Sequence, residues 1–184
     1  MQLKDASILR VDAYVDGNWI AGKKRFAVNN PANNELVAEV TDLGATEVTA
    51  AIDAAVLAQK QWAKRTAKDR AMIMRKWHDL IIANAEDLAV ILTTEMGKPL
   101  AEAKGEVAYG ASFIDWFAEE ARRICGDVLE TPQSDKRLLT FKQPVKKIFK
   151  PLIHYFAFRD KHNMRIKRII IIYEFSKITS IIHI

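Results

Sequence analysis

The stretch that decides the fold is GKPLAEAKGEVAYGASFIDWFAEEARRICG, residues 97–126. Gly97 suits the left-handed residue that follows a helix, and Pro99 suits the start of the next helix, because its missing N–H had no partner there. Small or apolar residues recur at spacings of four and three, which predicts one stripe on a helix that ends at Gly126. The stripe comprises Ala103, Val107, Gly110, Ile114, Phe117, Ala121 and Ile124.

The segments upstream predict helices that could cover this stripe. Thr46 is the expected N-cap of the first helix, and residues 66–69 resemble a capping box that starts the second. Asn84 and Asp87 indicate that a third helix starts directly after the second, and this helix is predicted to end at Gly97. The expected inner faces are Val48, Ile52, Ala55 and Trp62, then Ile73, Trp77, Leu80 and Ile81, then Leu88, Ile91 and Leu92.

Short strands are predicted at both ends of this helical region. Residues 13–20 indicate a hairpin around Asp16-Gly17-Asn18, because Asp-Gly tolerates a tight turn with positive φ. Residues 26–28 and 35–40 indicate two further strands, the second with Leu36, Ala38 and Val40 on one face. After a loop at residues 131–134, the segment RLLTF at 137–141 indicates another strand.

The charge of the chain is divided unevenly. The whole chain of 184 residues carries a formal charge of +5, but residues 146–184 hold nine basic and two acidic residues, and the remainder is slightly acidic. The basic character therefore gives no basic face for nucleic acid on the folded part. One cysteine suits a reducing compartment, and no signal peptide or membrane span is expected, so the predicted location is the cytoplasm.

Residues 146–184 differ in composition from everything before them. They contain eleven isoleucines and no glycine, and they show no sustained helix or strand period. Such a composition is typical of AT-rich codons translated out of frame, so we expect a boundary between residues 1–145 and an irregular tail that is a frameshift product. The alternative is a genuine basic extension, which could bind nucleic acid by charge and aromatic stacking.

Residues 14–145 resemble the N-terminal part of the aldehyde dehydrogenase superfamily, and are most similar there to succinate-semialdehyde dehydrogenase. The segments that carry the resemblance are YVDGNWI at 14–20, NPAN at 30–33, AAIDAA at 50–55, TAKDRAMIMRKW at 66–77, EMGKPLAEAKGE at 95–106, ASFIDWFAEEARRICGD at 111–127 and DKRLLTFKQPV at 135–145. The resemblance implies an α/β fold in which this segment supplies a helix-rich part of a Rossmann-like domain, with short N-terminal strands.

The resemblance also implies oxidation of an aldehyde, expected to be succinate semialdehyde, by a homo-oligomeric enzyme that uses NAD or NADP. The family's oxyanion-binding Asn, its cofactor-binding Lys and phosphate turn, its general-base Glu and its nucleophilic Cys have no matching positions here. We therefore expect no catalytic, cofactor-binding or metal-binding residues and an inactive, truncated chain. The alternative is a regulatory or structural fragment that docks onto a full-length dehydrogenase.

Several residues invite a functional interpretation that the pattern does not favour. Cys125 is expected to be a buried structural cysteine at a helix end, where the helix dipole disfavours a thiolate. Gly105 and Gly110 lie inside a helix, where close helix packing explains them better than a phosphate loop. His78 is expected at the surface or its boundary. The tail histidines, His154, His162 and His183, lack metal-like spacing.

The acidic residues near Gly97 are expected to form a solvated, charged face. Glu102 and Glu106 are one helical turn apart and alternate with Lys98 and Lys104, and Glu95 precedes them. The resemblance further implies a structural monovalent cation near an acid of this helix, for which Glu106 is the expected position.

Overall fold

Four helices form the body of the protein in the computed structural model, which describes residues 1–143. They are α1 (Ala45–Trp62), α2 (Ala67–Ala83), α3 (Ala85–Met96) and α4 (Leu100–Glu120). Both α2 and α3 pack against α4. The tail and the expected boundary after residue 145 lie outside the described residues.

Within residues 1–143, six short strands form three antiparallel pairs. The first hairpin joins β1 (Ala13–Val15) to β2 (Asn18–Ile20), and the second pairs β3 (Lys24–Asn29) with β4 (Leu36–Asp42). The third pairs β5 (Val128–Leu129) with β6 (Leu138–Leu139), which is the paired part of the RLLTF segment. Asp16 and Gly17 both have positive φ, as the predicted turn requires. The helix-rich fragment with short strands is thus confirmed.

The principal core lies where the N-terminal segment, α2, α3 and α4 meet. Its buried residues are Ile8, Ile81, Leu88, Ala89, Ile91, Leu92, Ala103, Val107 and Ala111. Ile8 reaches this core from a single 3₁₀ turn, Ala6–Ile8. The backbone N–H groups of Lys4 and Asp5 each donate to the buried carboxylate of Asp87 at 2.9 Å. These two hydrogen bonds therefore hold the N-terminal segment against α3.

The helix ends show which predicted caps are used. Thr66 caps α2, because its hydroxyl accepts from the N–H of Asp69 at 3.1 Å. The prediction for α1 was wrong: its N-cap is Gly44, whose N–H donates to the Glu47 carboxylate at 3.0 Å. The helix restarts after Asn84 as predicted, although the Asn84 amide donates to the Leu80 carbonyl instead of capping α3.

The predicted stripe on α4 is partly wrong. Ala103, Val107 and Ala121 are buried, but Ala111 and Ala118 replace Gly110 and Phe117 on the inner face, and Ile124 is exposed. Small alanines allow α2 and α3 to approach α4 closely, which places the larger neighbours outside. Ala55, expected on the inner face of α1, is also exposed.

Helix α4 ends six residues before Gly126, the predicted end. The helix ends at Glu120, and Gly126 lies in the segment that leads to β5. A side chain at Gly126 would collide with the backbone carbonyl of Thr140. This glycine therefore permits the close approach of two chain segments instead of ending a helix.

Candidate functional site

The cysteine is exposed and lies beyond the helix. Cys125 follows the last residue of α4 by five positions and is solvent-exposed, so the expectation of a buried structural cysteine was wrong. The early end of α4 is the physical reason, because it releases residues 122–126 from the packed helix face. His78 lies at the surface boundary of α2, as expected, and its Nδ1 is 3.0 Å from a carboxylate oxygen of Asp79.

Neither glycine of the GEVAYG segment serves close packing within the described chain. Gly105 and Gly110 lie inside α4, which confirms that the segment is not a turn between a strand and a helix. A Cβ added at either residue would meet no atom within 4 Å, so neither glycine makes a close helix contact within residues 1–143. Both residues lie on parts of α4 that α2 and α3 leave uncovered.

Glu95 is the one member of the expected acidic face that is buried. The residue is 4 % exposed near the end of α3, and its Oε2 has no hydrogen-bond partner within residues 1–143. Burial raises the pKa of Glu95 to about 7, because the interior disfavours the charged carboxylate. The expectation of a solvated Glu95 was wrong. The residue lies on the buried inner face of α3, together with Leu88, Ile91 and Leu92.

The other acids of this region are exposed, and two of them pair with lysines. Glu106 forms an ion pair with Lys98, and Lys104 binds Glu86 at 2.8 Å. The hydrogen bond from Lys104 lowers the pKa of Glu86. The monovalent cation that the resemblance implies at Glu106 stays a prediction.

Two of the segments that carry the resemblance, NPAN and EMGKPLAEAKGE, are in contact in the structure. Gly97 ends α3 with φ of +72°, and a Cβ there would lie 2.8 Å from Cγ of Pro31. The NPAN turn and the EMGKP segment therefore pack directly against each other, although about 65 residues separate them in sequence. Glycine is required here both for the backbone conformation and for the space.

Two open clefts flank α4. The larger, of about 460 Å³, lies between the end of α1, α2 and the end of α4 and includes Trp62, Trp116 and Phe117. The smaller, of about 250 Å³, lies between α2 and α4. Within residues 1–143, no group of three or more His, Cys, Asp or Glu residues is arranged to hold a metal ion. In the same residues, no helix is long and apolar enough to cross a membrane.

The sequence matches the aldehyde dehydrogenase family over residues 19–148. The chain belongs to this family. It is 52 % identical over 147 residues to glutarate-semialdehyde dehydrogenase of Pseudomonas aeruginosa, a match that covers 79 % of this chain and 30 % of the relative. The NADP(+) succinate-semialdehyde dehydrogenase of Escherichia coli is 48 % identical over the same length, with the same coverage.

Solved structures of this family share the fold. The crystal structure of succinate-semialdehyde dehydrogenase from Burkholderia pseudomallei superposes with a TM-score of 0.75 at 53 % identity, covering 78 % of this chain and 30 % of that chain. The resemblance to the N-terminal region of semialdehyde dehydrogenases is thus confirmed, and the α/β class with it. The chain spans about 30 % of the length of the curated relatives that it matches.

Proposed function

We propose that residues 1–145 are the N-terminal portion of a cytoplasmic, NAD(P)-dependent dehydrogenase that oxidises succinate semialdehyde, and that this chain alone is inactive. The observation that carries the proposal is the match of 147 residues to semialdehyde dehydrogenases, together with its limit to 30 % of their length. The function belongs to the whole family enzyme, and the described helices supply one part of its structure.

The substrate class follows from the relatives as a group. The matching proteins include dehydrogenases of glutarate semialdehyde, 3-sulfolactaldehyde and succinate semialdehyde, at 46–52 % identity. Each of these substrates joins an aldehyde to a carboxylate or sulfonate, which is ionised at neutral pH. A short aldehyde with an anionic end is the chemistry that these relatives share, and succinate semialdehyde is the member that the sequence resemblance also favours.

The described residues do not fit a dinucleotide. NAD or NADP accepts a hydride from the substrate when bound to such enzymes. A dinucleotide site of the Rossmann type requires a glycine turn between a strand and a helix N-terminus. Gly105 and Gly110 instead lie within α4, so no step of the reaction is assigned to this part of the chain.

Aldehyde oxidation through a cysteine also requires a thiolate, donors for the oxyanion and a base that activates water. Cys125 is exposed after α4, and His78 is engaged with Asp79 on α2. Glu95 is buried in α3. These groups lie on different parts of the fold and do not form a nucleophile with its base, which supports the proposed inactivity of the isolated chain.

A chimera tests the proposal. Residues 1–145 would replace the matching N-terminal portion of the Pseudomonas aeruginosa relative, and the rate of reduced nicotinamide formation would be measured with succinate and glutarate semialdehydes and with NAD+ and NADP+. We expect turnover by the chimera at a rate within about tenfold of the parent enzyme. A folded chimera without activity would show that residues 1–145 are not a competent portion of such an enzyme.

A further inference from the structure

We draw no further inference here: the strongest candidate, the open cleft that Trp62, Trp116 and Phe117 line between the ends of α1 and α4, is an unpartnered apolar surface, and nothing in the structure shows what covers it.

Discussion

The buried carboxyl of Glu95 makes folding stability depend on pH. Its pKa is raised from 4.5 to about 7 by burial, so the folded chain binds the proton more tightly than the unfolded chain does. The contribution of Glu95 to the free energy of unfolding should therefore be greatest below about pH 4.5, fall as pH rises towards 7, and level off above it. For the isolated chain, this contribution should differ by about 3 kcal/mol between the low-pH and high-pH limits.

Replacing this carboxyl with an amide should remove that dependence. Glu95→Gln should be more stable than the wild type at pH 8 and nearly equal to it at pH 5, because the amide cannot ionise. Urea unfolding of both proteins across this pH range measures the effect. Parallel pH profiles for the two proteins would show that the pKa of Glu95 is the same in the folded and unfolded chains.

Asp87 holds the N-terminal segment against α3 through two hydrogen bonds. Its two carboxylate oxygens accept from the N–H groups of Lys4 and Asp5, and the side chain is buried. Asp87→Asn leaves one of these N–H groups facing an amide donor, so the free energy of unfolding should fall by about 1–3 kcal/mol.

The check on Asp87 is urea unfolding together with hydrogen exchange of the Lys4 and Asp5 amides. Both amides should lose protection in Asp87→Asn. The exposed Asp42, at the end of β4, provides the control, and Asp42→Asn should change stability by less than about 0.5 kcal/mol. Equal destabilisation by the two variants would mean that the N-terminal segment is not held by Asp87.

At the scale of the element, two threonines with similar sequence context have different roles. Thr66 caps α2 through its hydroxyl, whereas Thr46 lies inside the first turn of α1, after the Gly44 cap. Thr66→Ala should lower the free energy of unfolding by about 1 kcal/mol, and Thr46→Ala should leave it unchanged or raise it slightly. Chemical denaturation of both variants tests this. A larger loss of stability in Thr46→Ala than in Thr66→Ala would indicate that Thr46 is the N-cap of α1.

Two glycines should respond oppositely to alanine. Gly110 lies in α4 with free space around it, so Gly110→Ala should stabilise the isolated chain by about 0.5–1 kcal/mol. Gly97 has positive φ and touches Pro31, so Gly97→Ala should destabilise it by at least about 1 kcal/mol. Thermal unfolding of the pair measures both effects, and stabilisation by Gly97→Ala would contradict the packing of the EMGKP segment on the NPAN turn.

The elements themselves could largely be predicted from sequence, because caps, turns and periodicity are local properties. The helix restart at Asn84, the Gly97 end of α3 and the first hairpin all follow from such signals. The inner face of α4 could not be assigned, because Phe117 and Ala118 compete for it and helix periodicity alone does not distinguish them. Packing against α2 and α3 selects the smaller residue, and that choice depends on tertiary structure.

At the scale of the whole molecule, the chain has a packed helical core and an uncovered apolar helix face. Exposed aromatic residues such as Tyr109 and Trp116 remain where a covering layer would lie. The family could be predicted because its motifs are long and ordered. The burial of Glu95 could not be predicted from sequence, because it depends on which face of α3 packs inward. The exposure of Cys125 could not be predicted either, because it depends on where α4 ends.

The most direct test of the central claim is a titration. Increasing amounts of the chain would be added to the remainder of the Pseudomonas aeruginosa relative, and reduced nicotinamide formation would be followed with succinate and glutarate semialdehydes. We predict no turnover by either polypeptide alone and a saturable increase in rate on mixing. Turnover by the purified chain alone, in proportion to its concentration, would contradict the conclusion that residues 1–145 are only one part of the enzyme.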